Sequence, residues 1–335
     1  MIVGFMRNNP KPFGFVRLLA KTSKYNDIDL VYFCPRDIDI KRKKVNGKFL
    51  IENKWVSKEI DIPSFIDASP YSFKYKKVIR FLKENTIIST DSIGSKDETY
   101  VKLEEDGDFS HLLIPTGKHV HFNDFLDFIN KHDKVVVKPR DGLRGRGISM
   151  IEKKWNKYKV SYQRDEQTVN KTELEKLYNE SWGPENFILQ KYVISRTLAG
   201  EPFDCRIRLE KNGRGKWAVA IYLVRIGSNQ KVVSNVAQGG SVTSLKPFLE
   251  ANFPDVEAQI RESIKEIAKS LPYKIESLYN VDLSSLGLDI GIDRSGKLYL
   301  FEVENGPGFE FGEGRVASLK SEYYKYITNK INTSS

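Results

Sequence analysis

The chain has 335 residues, which is enough for two or three lobes with sizeable hydrophobic cores. Hydrophobic residues make up 40% of the sequence and aromatic residues 12%, so the composition excludes an intrinsically disordered protein. The net charge of +10 is compatible with nucleic-acid binding and equally with an anionic small substrate, so charge alone does not define a partner.

No apolar run approaches the ~20 residues that are needed to span a bilayer. The first residues, Met1–Arg7, are typical of a first strand rather than of a signal peptide, since no small-residue cleavage site follows a longer apolar core. Two cysteines, Cys34 and Cys205, are too few for a disulfide framework. We therefore expect a cytoplasmic protein that has no membrane partner.

The first 95 residues alternate between strand and helix signals. Short apolar runs predict strands at 2–6 and 30–33, and amphipathic patterns predict helices at 13–20 and 73–83. Because strands that alternate with helices favour a parallel sheet, we predict a small parallel α/β lobe over residues 1–95.

Two α+β lobes are predicted to follow, at residues 96–190 and 191–335. Their longer strands stand beside helices without strict alternation, which favours antiparallel sheets covered by helices. The main predicted elements are a helix at 123–130, strands at 135–138, 187–193, 203–210 and 217–226, and helices at 256–270 and from 315 onwards.

A loop rich in glycine and arginine follows the strand at 135–138. Its glycines would let backbone N–H groups approach phosphate oxygens, and a returning strand after the loop indicates a flap rather than a P-loop. Lys138 ends the strand, where its ammonium can pair with nucleotide phosphates. The alternatives are a basic surface hairpin and a lysine that only reaches the surface.

Arginines on two predicted strands are candidates for anion binding. Arg206 and Arg208 share one face of their strand with Asp204, and two arginines beside an acid can clamp phosphate or carboxylate. A solvated face with cross-strand ion pairs explains this pattern equally well. Arg225 ends a very apolar run, where a guanidinium usually meets an anion from the protein or from a ligand.

Three carboxylates near the C-terminus are predicted to share one face of a β-hairpin. A two-residue turn would place Asp289 opposite Leu300 and diagonal to Glu302, with Glu304 on the same face. A three-residue turn would shift this register by one and move Asp289 to the other face. The residues predicted to form the opposite, core-facing side are Leu288, Ile290, Ile292, Tyr299, Phe301 and Val303.

Two glycines, Gly287 and Gly291, lie on the same predicted face as the three carboxylates. Because the donors are all oxygen atoms, the pattern indicates a magnesium or manganese site rather than a zinc site. The alternative is that these acids form the solvated face of an edge hairpin. The third carboxylate and the two glycines favour the metal site.

In this order the motifs resemble the ATP-grasp superfamily, and most closely its YheC/YheD-like, endospore coat-associated branch. Each motif is short, but six occur in sequence over most of the chain. They are the strand and loop at 135–148, then 189–193, 203–206, Asn235 with 238–240, 288–293 and 301–308.

The resemblance implies an ATP-grasp fold, in which ATP lies between two α+β lobes behind the N-terminal α/β lobe. It implies an ADP-forming carboxylate–amine ligase that uses ATP and Mg²⁺, with Mn²⁺ as an alternative, and joins a small-molecule or peptide carboxylate to an amine through an acyl phosphate. The residues that it assigns to ATP are Lys96, Lys138, Gly142, Arg144, Gly145, Gly147, Gln190, Lys191, Tyr192 and Val193. Those that it assigns to catalysis are Arg206, Arg225 and Asn235, and those to the metal are Asp289, Glu302 and Glu304.

One position departs from the family pattern. Where that pattern usually reads Glu-Val-Asn, this chain reads Glu302-Val-Glu304, and Asn305 stands one position later. Since glutamate also binds magnesium, we expect metal binding to be kept, with Glu304 or Asn305 as the third ligand. The departure motivates an alternative, an ATP-binding coat-associated interaction protein without turnover. A nucleic-acid-binding protein is a weaker alternative that rests on the net charge.

Overall fold

The computed structural model describes residues 1–89, 93–117, 121–140, 147–162, 165–183, 186–227 and 240–334. These residues form three β-sheets, each covered by helices. Within the same ranges, no helix combines the length and the apolar character that crossing a membrane requires.

The first sheet is parallel at its centre. Its elements are β1 (Ile2–Met6), α1 (Gly14–Lys24), β2 (Asp29–Phe33), β3 (Ile38–Asp39), β4 (Lys44–Ile51), β5 (Lys54–Asp61), β6 (Phe65–Ala68), α2 (Lys76–Asn85) and β7 (Ile87–Ile88). The strand order is β3-β4-β2-β1-β6-β7, and β5 pairs with β4. β1 runs parallel to β2 and β6, and β6 runs parallel to β7, which confirms the predicted parallel α/β lobe.

The second sheet is antiparallel throughout. Its strands and the helices near it are α3 (Lys96–Asp106), β8 (Thr116–Gly117), α4 (Phe122–His132), β9 (Lys134–Pro139), β10 (Ser149–Lys154), β11 (Lys157–Tyr162), β12 (Asp165–Val169), α5 (Lys171–Leu177) and β13 (Phe187–Lys191). The order is β12-β11-β10-β9-β13-β8. Helices α4 and α5 bury apolar residues, Phe125 and Leu174 among them, against one face of this sheet.

The third sheet is also antiparallel and contains the predicted carboxylate hairpin. Its elements are β14 (Phe203–Lys211), β15 (Trp217–Ile226), β16 (Ser241–Ser244), α6 (Leu245–Asn252), α7 (Glu257–Tyr279), β17 (Ser285–Ile292), β18 (Leu298–Asn305) and α8 (Glu313–Ser334). The order is β16-β15-β14-β17-β18, so β14 is the central strand. Helices α6 and α7 cover its apolar face.

Two helices pack across the lobe boundaries that the sequence predicted. Helix α3 starts at the predicted middle lobe, yet Leu103 is buried in the core of the third sheet and the Thr99 hydroxyl lies 2.8 Å from the Tyr279 hydroxyl of α7. Helix α8, at the end of the predicted third lobe, packs Val316 and Tyr324 into the core of the first sheet. The apolar faces of these helices are therefore buried against sheets distant in sequence.

A buried carboxylate connects the first sheet to α8. Asp67, on β6, accepts hydrogen bonds from Arg7 at 2.8 Å, from Lys320 at 2.9 Å and from the Tyr324 hydroxyl at 2.6 Å. Burial by itself would raise the pKa of Asp67, but Lys320, Arg7 and the hydroxyl donor together hold it well below its usual range. Lys320 also lies 3.2 Å from Glu210 on β14, so one ammonium joins two sheets.

Replacing Asp67 with asparagine should destabilise the fold, because it removes the carboxylate partner of Arg7 and leaves the buried ammonium of Lys320 with Glu210 alone. We expect a loss of about 3–5 kcal/mol in the free energy of unfolding at neutral pH. Because the folded pKa of Asp67 is lowered, its contribution is present above the unfolded pKa of about 3.9 and is lost as the pH falls below it. In denaturant unfolding measured from pH 7 to pH 2, the free energy of unfolding of the wild type should approach that of Asp67→Asn only at acidic pH.

Asp61→Asn is the matched control for this prediction. Asp61 pairs with Lys44 on the surface and its side chain is 87% exposed, so its replacement should change the stability little. A constant difference between wild type and Asp67→Asn across the whole pH range would contradict the proposed origin of the effect.

Candidate functional site

The carboxylate hairpin of β17 and β18 has a longer turn than the sequence predicted. The Asp293 N–H donates to the Lys297 carbonyl at 3.0 Å, so three residues rather than two form the turn. The last of them, Gly296, has a φ of +85°, a conformation in which glycine is not strained. The predicted two-residue turn is therefore wrong, and Leu300 pairs with Ile290 instead of Asp289.

A second irregularity restores the carboxylates to one face. The register shifts again between Asp289 and Ile290, where Phe301 is the extra residue of a β-bulge. As a result Asp289 pairs directly with Glu302, and Glu304 pairs with Gly287. The predicted shared face is thus correct, although its register is different.

The longer turn changes the predicted core face of the hairpin. Tyr299 and Phe301 are predicted to lie in the core, but Tyr299 pairs with Gly291 and the Phe301 ring lies over Gly291, both on the face of Asp289, while Leu298 and Leu300 take their place in the core. The residues of this hairpin that are buried in the core of the third sheet are Leu286, Leu288, Ile290, Ile292, Leu298, Leu300 and Val303.

The two glycines on the carboxylate face make room for protein groups. A methyl group at Gly291 would overlap the ring of Phe301. One at Gly287 would lie 3.0 Å from Pro307 Cβ and 3.1 Å from a guanidinium nitrogen of Arg206. The space above the glycines is therefore filled by side chains, which removes part of the sequence argument for a metal there.

Two arginines and three carboxylates form a connected cluster on the polar face of the third sheet. Arg206 donates from Nη2 to Asp289 Oδ2 at 2.9 Å and from Nε to Asp289 Oδ1, and its Nη1 lies 2.8 Å from Glu304 Oε2. Arg225 donates to both Asp204 oxygens at 2.7 and 2.8 Å and also lies 2.8 Å from Asp289 Oδ2. We call these five residues the arginine–carboxylate cluster.

The cluster stays ionised although it is largely buried. Burial opposes the charge on Asp289, but Arg206 and Arg225 hold its pKa well below the usual range. Conversely, burial would lower the pKa values of both arginines, and the carboxylates around them, Asp289 first, raise those values instead. Arg225 therefore meets structural carboxylates, one of the two outcomes that its position predicted.

Arg208, the weaker candidate on β14, does not belong to this cluster. Its guanidinium is buried, pairs with Glu210 and donates to the carbonyls of Pro307 and Gly308. Its role in this structure is to hold the loop that follows β18.

The donor set for a metal ion is smaller than predicted. In the described part of the chain, no group of three or more His, Cys, Asp or Glu side chains is placed to hold one metal ion. Asp289 and Glu302 face each other across β17 and β18, whereas Glu304 is drawn towards Arg206. The oxygen donors of this pair fit a hard cation such as Mg²⁺, with water or phosphate oxygens completing its shell.

The second sheet contributes groups that reach the hairpin. Lys138, at the end of β9 as predicted, places its Nζ 3.5 Å from the carbonyl oxygen of Phe301. Tyr100 of α3 donates its hydroxyl to the carbonyl of Leu300, and burial raises the pKa of that hydroxyl well above its usual value. Tyr100 is not predicted from the sequence. The capping box of Ser95 and Glu98 marks the start of α3 but does not show which face of this helix meets β18.

The segment 190–193, which the resemblance assigns to ATP, begins inside β13. Gln190 is paired with β9 and β8, and its side-chain amide donates to the Thr116 hydroxyl at 3.0 Å. Lys191 and Tyr192 each donate their backbone N–H within the sheet region at 2.9 Å. An N–H contact to a base would therefore fall to Val193, the last residue of the segment.

The remaining predicted residues belong to the glycine loop or lie outside the described residues. Gly147 has a φ of +78° and a Cβ there would lie 2.6 Å from Pro139 Cγ, so this position needs glycine for backbone reasons. The side chain of Lys96, and all of Gly142, Arg144, Gly145 and Asn235, lie outside the described residues. Their predicted roles stay predictions.

The fold and these motifs can be compared with known proteins. Residues 85–331 match the family described as YheC/D like ATP-grasp. The chain belongs to this ATP-grasp family. Among its curated relatives, the endospore coat-associated protein YheC of Bacillus subtilis (strain 168) is 23% identical over 304 residues, covering 87% of this chain and 84% of YheC. YheD of the same organism is 22% identical over 325 residues, covering 90% of this chain and 71% of YheD.

Solved structures confirm the predicted ATP-grasp fold. The crystal structure of the D-cycloserine synthetase DcsG gives a TM-score of 0.56 at 15% identity and covers 96% of this chain and 99% of DcsG. The ATP-grasp ligase PsnB, complexed with a variant of its minimal precursor, Mg and ADP, gives a TM-score of 0.55 at 11% identity, covering 97% of this chain and 98% of PsnB. At these identities the likeness defines the fold and leaves the reaction open.

Replacing Gly291 with alanine should destabilise the protein, because the new methyl group overlaps the Phe301 ring. We expect a loss of about 1–3 kcal/mol in denaturant unfolding without added ligands. Gly14→Ala, at an open position on α1, is the matched control and should be nearly neutral. In a Phe301→Ala background the cost of Gly291→Ala should shrink. A neutral Gly291→Ala would mean that the glycine leaves open space, as a metal site would need.

Proposed function

We propose that the protein is an ADP-forming carboxylate–amine ligase of the cytoplasm. ATP would transfer its γ-phosphoryl group to a carboxylate oxygen, giving an acyl phosphate and ADP. An amine would then attack the acyl carbon, and the C–O bond to phosphate would break as the amide or peptide bond forms. Membership of the ATP-grasp family and the likeness in fold to ADP-bound ligases support this class of reaction.

The observation that carries the proposal is the arginine–carboxylate cluster beside Lys138. Arg206 and Arg225 are half-buried cations held in fixed positions by Asp204 and Asp289, and Lys138 reaches the same hairpin from the second sheet. Such preorganised cations stabilise negative charge that develops on a transferring phosphoryl group and on a tetrahedral intermediate. No rearrangement of the backbone is needed to present them.

The other predicted residues would position ATP and the acyl phosphate. Lys138 would pair with ATP phosphates, assisted by Lys96 and by the loop of Gly142, Arg144, Gly145 and Gly147. Val193 would offer its N–H to the adenine, while Gln190, Lys191 and Tyr192 support that segment within the sheet. Asn235 would assist Arg206 and Arg225 at the acyl phosphate.

A magnesium ion would be held by Asp289 and Glu302, with Glu304 as the third ligand, because Asn305 pairs with the core residue Leu286 on the opposite face. When bound, it would supply Lewis-acid stabilisation of phosphate oxygens. For Asp289 this requires sharing one carboxylate between the cation and two guanidiniums, which its four lone-pair sites allow. Manganese would fit the same oxygen donors.

The substrates are a carboxylate and an amine, and peptides belong among the candidates for the carboxylate. PsnB was solved with a minimal precursor, and a related ATP-grasp ligase of Chryseobacterium gregarium with a leader and core peptide, which supports a peptide arm in any screen. The net charge of +10 mildly favours acidic metabolites or acidic peptides as well.

Arg225→Ala should lower turnover by a factor on the order of 10²–10³, because it removes one preorganised cation. The measurement is ADP release with Mg²⁺ across amino acids, acidic metabolites and peptides, followed by mass spectrometry of the product. Arg225→Lys keeps the charge for Asp204 and Asp289 but loses the bidentate geometry, so it should fold normally and still be slow.

Arg42→Ala is the matched control, since Arg42 forms an exposed pair with Glu59 far from the cluster. It should leave ADP release unchanged. Normal turnover by a folded Arg225→Ala protein would contradict the role given to this arginine. Absence of substrate-dependent ADP release from the wild type across the whole screen would count against the ligase itself.

A second candidate function is ATP binding without turnover, in a coat-associated interaction protein. The observation that favours it is the 2.8 Å pair between Glu304 and Arg206, which neutralises a cation needed for chemistry. Glu304→Asn should release Arg206 from this pair and raise ADP release if the protein is a ligase. Saturable ATP binding by both proteins, with no ADP from either, would favour the binding function.

A further inference from the structure

The tip of the β10–β11 hairpin exposes a tryptophan in a strained conformation. Lys154 pairs with Lys157, so Trp155 and Asn156 alone form the turn. Trp155 has a φ of +54° and is 95% exposed. Turns of this kind favour glycine, asparagine or aspartate at positive φ, and a bulky residue there is an outlier. A fully exposed indole in a strained turn does not stabilise the fold. Its presence there indicates a contact with another molecule.

The surroundings of Trp155 are basic. Residues 131–134 and 152–159 lie together, because the Lys153 N–H donates to the Asp133 carbonyl at 2.7 Å and Lys134 lies 3.7 Å from Glu152. These two segments carry six lysines against two carboxylates, a net charge of +4 with His132 neutral. Glu152 is already shared between Lys134 and Lys154, and Glu166 of β12 pairs with Lys159 at 2.9 Å, so the net charge is +3 when Glu166 is included. We call residues 153–157 with their lysine surroundings the basic tip.

Residues 153–157 lie at the end of β10 that is distant from Lys138. Ser149 pairs with Val137, and β10 runs about 17 Å from Ser149 to Lys154. Of the surrounding lysines, Lys134 lies next to the proposed ATP site, since its carbonyl accepts the Tyr192 N–H at 2.9 Å. Residues 153–157 themselves have no role in the ligase chemistry proposed above.

We propose that the basic tip is a docking site for an anionic lipid surface. Tryptophan partitions to the membrane–water interface, and lysines around it meet lipid phosphates while their stems lie along the apolar boundary. The tip is a single protruding turn with one exposed aromatic ring, whereas binding sites for single-stranded nucleic acid place successive aromatic rings along a groove. Charge complementarity and the convex shape therefore favour the lipid surface. The sequence led us to expect no membrane partner because nothing could span a bilayer, and surface docking needs no span.

Vesicle binding by the full-length protein tests this proposal. The protein should sediment with vesicles of phosphatidylcholine and phosphatidylglycerol, bind far less to phosphatidylcholine alone, and dissociate as salt is added. Tryptophan emission should shift to the blue on binding, and brominated lipids should quench it. Each tip lysine is expected to contribute roughly fivefold to the partition coefficient, so Lys154→Gln with Lys157→Gln should lower it more than tenfold.

The decisive variant is Trp155→Asn. Asparagine tolerates positive φ, so this variant should fold with an equal or higher midpoint of thermal unfolding while its vesicle binding falls at least tenfold and the emission shift disappears. Tyr25→Asn is the matched control, since Tyr25 follows Lys24 on another lobe and is 90% exposed, and it should bind vesicles like the wild type.

Three results would overturn the proposal. They are equal binding to neutral and anionic vesicles, undiminished binding by Trp155→Asn, and retention on single-stranded DNA that depends on Trp155 without any binding to vesicles. The last would assign the basic tip to nucleic acid instead.

Discussion

The charged face of β14 has to be neutralised inside the protein, and much of the architecture depends on how this happens. Asp204, Arg208 and Glu210 on this strand are buried, and an unpaired ion there would cost several kcal/mol. Arg208 and Glu210 pair with each other along β14, and the other partners come from neighbouring elements. Arg225 of β15 reaches Asp204, whereas Lys320 of α8 lies close to Glu210. The position of α8 across two sheets follows from this requirement as much as from its apolar face.

The loop after β18 is held by contacts with both the third sheet and the first lobe. Arg208 donates to the carbonyls of Pro307 and Gly308, which binds the loop to the third sheet. The next residue, Phe309, stacks on Phe15 of α1 in the first lobe, with ring centroids 4.0 Å apart and planes 9° apart. The first lobe and the hairpin that carries Asp289 are thus joined by a short segment with little freedom. In the ligase proposed above, a substrate that entered between them would meet a preformed wall, as catalysis by positioning requires.

Features that depend on local pattern were accessible from the sequence, and those that depend on tertiary partners were not. Alternation of strands and helices was sufficient for the parallel first lobe, and the apolar run before Arg225 was sufficient to predict an anionic partner. The alternation of side chains placed Asp289 on the correct face only because the three-residue turn and the bulge at Phe301 shift the register in compensating ways. Neither shift has a signal in the alternation itself. The approach of Tyr100 to β18 depends on how α3 packs, and no periodicity of a single helix contains that information.

The departure at Glu304 changes the electrostatics of the cluster in two opposite ways. Arg206 and Arg225 face the carboxylates of Asp204, Asp289 and Glu304, two positive against three negative charges, a net charge of −1, where asparagine at 304 would give zero. The extra charge attracts a divalent cation and repels a bare phosphate. A phosphate that arrives with its cation is neutralised in part before it meets the cluster, so the two effects no longer oppose each other. In both proposed functions, the glutamate would make binding more dependent on the metal–nucleotide complex than an asparagine would.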